Sequence, residues 1–284
     1  MIRIGYLGPR GTFTEQAVRT YVAKRGIKNA VLVACRTIDE VLLSVEAGEL
    51  QIGVVPAENS IEGSVALTLD YLVHEVDVPI VGEVIIAVRH NLLALPGADP
   101  TEMVAVYSHR HALAQCRRHL NEILPGAELC PASSTAEAAR IVRDKADARL
   151  AALGTELAAE LYDLEVMARD LQDEKGNATR FFVVADQRPS ATGYDKTSIA
   201  FAFPDDRPGH LYRALYEFAS RDINLSKLES RPARRHLGEY IFLADMEGHV
   251  DDEKVAQALE GLRHQCSFVR VLGSYPRDTL SAIP

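Results

Sequence analysis

The sequence predicts an α/β protein of two lobes followed by a smaller α+β module. Over the first part of the chain, apolar runs such as 2–7, 31–34 and 52–55 alternate with capped helical patterns. That is the signature of a parallel sheet with helices on its faces. After a polar stretch at 186–196 containing Pro189 and Gly193, the order changes to β-α-β-β-α-β. The length of 284 residues agrees with about two domains of roughly 150 residues each.

Ile2 to Leu7 reads as a strand that empties into Gly8-Pro9-Arg10-Gly11. Thr12 and Glu15 have capping-box spacing and open a helix toward Arg25. A helix amino terminus offers backbone N–H groups to an anion, and an ordinary capped turn explains the stretch equally well. The glycines at 5, 8 and 11 do not fit G-x-G-x-x-G and no Gly-Lys-Ser/Thr follows, which sets aside dinucleotide and P-loop sites. A strand near Val31–Ala34, a helix at Ile38–Ala47 and a strand at Ile52–Val55 come next. The polar run Pro56-Ala57-Glu58-Asn59-Ser60-Ile61-Glu62-Gly63-Ser64 follows, ahead of a helical pattern from Val65 to Val73. Ligands of open α/β sheets lie beyond the carboxyl ends of strands, where Glu58, Asn59 and Ser60 stand.

Val81–Val88 and Val104–Tyr107 read as strands of the second lobe. Ser108 is placed to cap a helix through Leu113, Cys116 and Leu120, with Gln115 about two turns along it. His109 and His111, with His119 beyond, have no carboxylate at a zincin spacing and read as solvated or capping groups, so no metal site is expected. Ser134 and Glu137 cap a helix to Lys145, Leu150–Leu153 is a buried strand, and Thr155–Leu161 a short helix. Past the linker come a strand at Thr197–Phe203, a turn at 206–209, an amphipathic helix at His210–Ser220 and a strand at Ile223–Glu229. A strand at Leu237–Met246, a helix at Asp251–His264 and a last strand at Phe268–Leu272 complete a ferredoxin-like order.

An apolar share of 47% and a charged share of 25% are ordinary for a globular protein. The net charge of −9 argues against nucleic acid and anionic membranes as partners, while leaving room for a small anion in a locally positive pocket. Four scattered cysteines without a C-x-x-C pair suit a reducing compartment. The amino terminus enters a strand directly without a signal-peptide pattern. The apolar run at Val78–Val88 is interrupted by Pro79, Gly82 and Glu83 and is too short to span a bilayer. The expectation is a cytoplasmic protein.

The stretch that orders these observations is Asn177-Ala178-Thr179-Arg180-Phe181-Phe182-Val183-Val184, a buried strand entered through an amide, a hydroxyl and a guanidinium. Together with Gly8-Pro9-x-Gly11-Thr12-Phe13-Thr14, Pro56-x-Glu58-Asn59-Ser60, Ser108-His109 and Gln115-Cys116 it resembles the prephenate dehydratases that carry a carboxy-terminal ACT regulatory domain. Glu229-Ser230-Arg231-Pro232 and Leu272-Gly273-Ser274-Tyr275-Pro276 match as well, so the resemblance runs through nearly the whole chain in register.

The resemblance implies a two-lobed catalytic part at 1–185 with a periplasmic-binding-protein-like fold. Lobe one is expected at about 1–78 plus 164–185 and lobe two at about 79–163, followed by the linker at 186–196, an ACT domain at 197–277 and a tail at 278–284. It implies decarboxylative dehydration of prephenate to phenylpyruvate, with feedback by L-phenylalanine and a homodimer or homotetramer. Thr179 is implied as the essential hydroxyl, with Asn59, Ser108 and Gln115 as further catalytic positions. Glu58, Ser60, Gly11, Thr12, Phe13, Ser134, Arg180 and Phe181 are implied around the substrate. Gly209, His210, Leu211, Asn224, Leu225, Ser226, Glu229, Ser230, Arg231 and Pro232 are implied around the effector. Two departures stand out: Arg110-His111 where the family usually has Pro-Gln, and His210 where it has Ala.

The chemistry asks for no cofactor, because aromatisation of the ring supplies the driving force. Such an enzyme needs to hold two carboxylates and help a hydroxide depart by hydrogen bonding or protonation. On this reading Arg180 serves either a substrate carboxylate or a structural ion pair, and Glu58, which would repel a dianion, orients its neighbours. Two other readings compete, an arogenate dehydratase and a non-catalytic amino-acid sensor; the intact Thr179-Arg180-Phe181 favours an enzyme.

Overall fold

The structure, a computed structural model, describes residues 1–233 and 240–279. The chain opens with β1 (Ile2–Leu7), α1 (Phe13–Lys24), β2 (Ala30–Cys35), α2 (Ile38–Glu46) and β3 (Ile52–Asn59). The helices start where hydroxyls cap them: Thr12 accepts from the Glu15 N–H and Thr37 from the Glu40 N–H. β3 runs on to Asn59, past the expected end at Val55, because it turns back through a hairpin into β4 (Gly63–Ser64). A register shift opposite Ala57 accommodates this extension. After α3 (Ala66–His74) comes β5 (Ile80–Ala87).

The chain then crosses into the second lobe with β6 (Asn91–Ala94), β7 (Ala105–His109), α4 (Arg110–Gln115), α5 (Arg117–Ile123) and β8 (Glu128–Ala132). α6 (Thr135–Lys145), β9 (Leu150–Gly154), α7 (Glu156–Leu161) and β10 (Glu165–Ala168) complete it, with α6 capped by Ser134 and α7 by Thr155. Its sheet has the order β10-β6-β9-β7-β8, in which β7 is parallel to both neighbours. β6, β8 and β10 were not foreseen; β6 is only four residues long, and β8 and β10 are edge strands whose mixed polar sequences carry little periodic signal.

β11 (Ala178–Val184) returns to the first lobe and inserts antiparallel between β3 and β5, giving a sheet of order β2-β1-β3-β11-β5. This corrects the expected lobe limits: Ile80–Ala87 pairs in the first sheet and Glu165–Ala168 in the second. Local sequence cannot reveal which sheet a strand joins, since periodicity reports burial and not the partner. The two crossing segments run side by side, with the Val88 N–H on the Asn177 carbonyl and the Leu171 N–H on the His90 carbonyl.

The last module is β12 (Asp195–Ala202), α8 (His210–Ala219), β13 (Leu225–Pro232), β14 (Tyr240–Glu247), α9 (Glu253–Arg263) and β15 (Phe268–Pro276), an antiparallel sheet of order β13-β14-β12-β15. It is the βαββαβ arrangement that the sequence predicts. Residues 237–239 of the expected third strand and 280–284 of the tail lie outside the described residues. Asp195 and Lys196, expected in the linker, are buried in β12.

One face of this sheet packs on α8 and α9 through Ile199, Phe201, Phe218 and Leu259. The other face shares a core with lobe one, where Ala200, Ile241, Leu243, Leu272 and Tyr275 meet Val55, Leu72, Ile80 and Phe182. Contact is close enough that a Cβ on Gly273 would stand 2.1 Å from the Ile80 carbonyl oxygen, so only glycine fits there.

Inside that interface lies a cluster of two cations and two carboxylates. Arg180 is 2.5 Å from Asp245 Oδ2, 2.6 Å from Glu83 Oε2 and 2.8 Å from the Tyr275 hydroxyl. Lys196 Nζ donates to both oxygens of Glu83, at 3.0 and 2.9 Å. Burial pushes the Asp245 carboxyl upward, but Arg180, the Ser198 hydroxyl and Lys196 outweigh it and hold it below the ordinary carboxylate range. Removing one member of a buried charge set leaves the rest uncompensated. Asp245→Ala is therefore expected to lower unfolding free energy by about 3–5 kcal/mol, measured by guanidinium unfolding; a loss under about 1 kcal/mol would mean the cluster behaves as a surface pair.

Candidate functional site

Between the two lobes lies a cleft of about 510 Å³. Thr12, Phe13, Asn59, Ser64, Thr179 and Phe181 line it from lobe one, His109, His111, Gln115, Ser134 and Thr135 from lobe two, and His90 from a crossing segment. α1 and α6 both begin at its wall, so first-turn N–H groups without intrahelical partners border the cleft from opposite sides. Aligned peptide dipoles make both ends favourable to negative charge. Among the described lining residues there is no Lys or Arg, and Glu62 is the only carboxylate.

A chain of amides and a hydroxyl crosses the site. Asn59 Nδ2 donates to Thr179 Oγ1 at 2.9 Å and to Asn177 Oδ1 at 2.8 Å. Asn59 is itself fixed, since its Oδ1 accepts the N–H groups of Ile61 and Glu62. Asn177 Nδ2 donates to Gln115 Oε1 at 3.0 Å, and that oxygen is 3.2 Å from His90 Nε2. Gln115 Nε2 donates to Glu62 Oε1, while His111 Nδ1 lies 3.2 Å from Glu62 Oε2. The β3–β4 hairpin of lobe one is thus tied across the cleft to α4 of lobe two. Among the described residues, the Thr179 hydroxyl takes part only as acceptor from Asn59, and none of them accepts its own proton.

The Gln115 amide faces a carboxylate with its nitrogen, so its oxygen meets two donors. His90 therefore carries its proton on Nε2 and presents a bare Nδ1, which is buried without a partner. Burial lowers the His90 pKa from 6.5 to about 4, against a small upward pull from Gln115. The ring stays neutral at physiological pH. His109 is also lowered, first by burial and then by His111 and Arg110.

The expected site residues divide. Thr179, Asn59, Gln115, Thr12, Phe13, Ser134 and Phe181 come together around the cleft. Ser108 does not: it is fully buried, donates to the Leu153 carbonyl at 2.9 Å, and leaves the helix cap to His109. Gly11 packs against Ala158 of lobe two, and its N–H is taken by Glu15 at 2.7 Å. Ser60 accepts the Ala178 N–H and holds the segment before Thr179. Glu58 and Arg180 both lie outside the cleft lining, in contacts with the last module. His90 and the linking role of Asn177 were missed; they sit on the crossing segments, and the one signal for them is their position beside the strands that carry the site.

A second cavity of about 760 Å³ lies between the last module and the end of α3, lined by Phe203, Gly209, His210, Leu211, Phe242 and Phe268 among others. His210 stacks on Phe203 at 5.2 Å and bonds Asp205 at 2.8 Å. Asn224, Leu225, Ser226 and Glu229–Pro232 do not line it. Asn224 instead donates to Glu247, Ser226 to the Asp245 carbonyl, and Glu229 and Arg231 reach Ser64 and Asp70 of lobe one.

The family described as prephenate dehydratase matches residues 4–189, and the ACT domain matches residues 204–264. A prephenate dehydratase of Bacillus subtilis is 38% identical over 284 residues, covering 96% of this chain and 98% of its own. A bifunctional chorismate mutase/prephenate dehydratase of Aquifex aeolicus is 43% identical, covering 98% of this chain and 75% of its own. The crystal structure of prephenate dehydratase from Arthrobacter aurescens in complex with L-Phe superposes with a TM-score of 0.88 at 38% identity, covering 97% of this chain and 90% of that one.

Because the unfolded chain binds a proton at His90 from about pH 6.5 downward and the folded chain only from about pH 4, stability falls as pH drops through that window. The loss amounts to about 3 kcal/mol. Thermal unfolding followed from pH 7 to pH 4 should show the decline, flattened in His90→Gln; an unchanged slope in that variant would remove His90 as its source.

Proposed function

The chain belongs to the prephenate dehydratase family, and from that premise we propose how its cleft removes carbon dioxide and water from prephenate. The substrate is a dianion. The bond from the ring to its carboxylate breaks, the electron pair enters the ring, and the ring hydroxyl leaves as water. One proton is consumed per turnover, and it is needed at the departing oxygen.

Thr179 donates toward that oxygen. The observation that carries the proposal is the Asn59 bond: a hydroxyl that already accepts from an amide 2.9 Å away turns its own hydrogen outward, into the cleft. In a site closed to water such a directed donor acts where charge develops. The amino termini of α1 and α6 take the carboxylates, one from each lobe. Substrate therefore favours lobe closure, and the Glu62 contacts to Gln115 and His111 hold the closed edge. Neutral Gln115 and His90, with Asn177 behind them, keep the wall polar without adding charge.

L-phenylalanine is the effector in this proposal, taken up by the ACT domain in the 760 Å³ cavity at Gly209, His210 and Leu211. The L-Phe complex of the Arthrobacter aurescens relative supports L-phenylalanine as the ligand. The chain works as a homodimer or homotetramer in the cytoplasm. No helix among the described residues is long and apolar enough to cross a membrane. A second reading, arogenate as substrate, rests on Glu62, the one carboxylate among the described lining residues that could meet an ammonium; turnover of both substrates side by side separates the two.

Thr179→Ala is expected to lower kcat by about 10²–10⁴-fold with KM changed little, read as phenylpyruvate formed from prephenate. Near-normal turnover in a folded Thr179→Ala would remove the donor role. L-phenylalanine should bind the wild-type chain in equilibrium dialysis and reduce its turnover; absence of binding would end the effector assignment.

A further inference from the structure

We propose that Lys227 and Glu229, on the regulatory module, are positioning residues of the catalytic cleft, acting through Ser64. The inference rests on the dehydratase reading and assigns these residues a part in the same site. Strand alternation in β13 turns Lys227, Glu229 and Arg231 to one side, where they are partly buried, and leaves Leu228, Ser230 and Pro232 exposed, while a register shift before Lys227 sends Leu225 to the helix face. The partly buried side faces lobe one, and its polar groups meet the β3–β4 hairpin. Lys227 Nζ donates to Ser64 Oγ at 2.7 Å and lies 3.1 Å from Glu58 Oε2. The Ser64 hydroxyl in turn donates to Glu229 Oε2. Arg231 extends the contact to Asp70 at 3.2 Å.

Ser64 lines the cleft. In the hairpin, Glu58 pairs with Ser64 and Asn59 with Gly63, so the clamp grips the residue pair next to the one that fixes Thr179. A cation, a hydroxyl and a carboxylate in sequence form a directed relay, since the ammonium can only donate and the carboxylate only accept. Burial raises the Glu229 carboxyl, but Ser64, Lys227 and Arg231 outweigh it and keep it below its usual range, so the acceptor end stays charged. Glu229 and Arg231 belong to the segment expected to hold an effector, yet here they hold the hairpin. A ligand that shifts β13 thereby shifts Asn59 and the hydroxyl it orients, without touching the substrate.

The kinetic test compares Lys227→Met, Lys227→Arg and Glu229→Gln with the wild-type chain. Loss of the clamp should lower kcat on prephenate about 10-fold or more, within what a small displacement of a reacting group costs, while KM stays within about twofold. Lys227→Arg should recover most of the loss. A wild-type chain inactive on prephenate would refute the dehydratase reading, whereas an active wild type with an equally active Lys227→Met refutes the clamp. Hydrogen exchange decides without any substrate: the amides of Ile61 and Glu62, closed on Asn59 Oδ1, should exchange faster in Lys227→Met. Unchanged exchange at those amides would overturn the inference whatever the substrate proves to be.

Discussion

Arg180 is the residue on which the docking of the regulatory module against lobe one depends. It follows the proposed proton donor in β11, and its guanidinium leaves the cleft to bind Asp245 and Tyr275 of the regulatory sheet and Glu83 of lobe one. A charge buried this deeply tolerates only one arrangement of partners, because each lost contact leaves an uncompensated ion. The cluster is thus better understood as fixing the docking register than as adding net stability. Gly273 against Ile80 performs the complementary task with shape, allowing the two sheets to approach until the cluster closes.

The cleft makes little use of formal charge for a site proposed to handle a dianion. Its lining offers two helix amino termini, amides and hydroxyls, with one carboxylate already engaged by Gln115 and His111. That economy suits a reaction driven by aromatisation, in which the protein supplies orientation and one proton. His90 borders the cleft and Asn177 lies behind it, both on the segments that join the lobes.

Much of this was legible in the chain. Thr12 and Ser134 announced helix starts through cap chemistry, and both caps form as the spacing implies. Thr179, Asn59 and Gln115 were found together through a resemblance that ran in register, and they share one cleft. What failed was orientation across the sheet. Ser108 sits at the right level of β7 but turns inward to Leu153, since side chains alternate and a motif does not say which face its hydroxyl takes. Arg180 stayed undecided between substrate and structure because its partners lie 65 and 95 residues away. The membership of β5 was misread for the same reason: pairing with β11 is a tertiary fact that no local pattern encodes.

The most direct test of the account is a crystal structure of the chain with an unreactive prephenate analogue that keeps the ring hydroxyl. The account predicts that this oxygen lies about 2.7–3.0 Å from Thr179 Oγ1, with the two carboxylates at the first turns of α1 and α6. A ring hydroxyl beyond hydrogen-bonding reach of Thr179, or carboxylates bound elsewhere in the molecule, would contradict it.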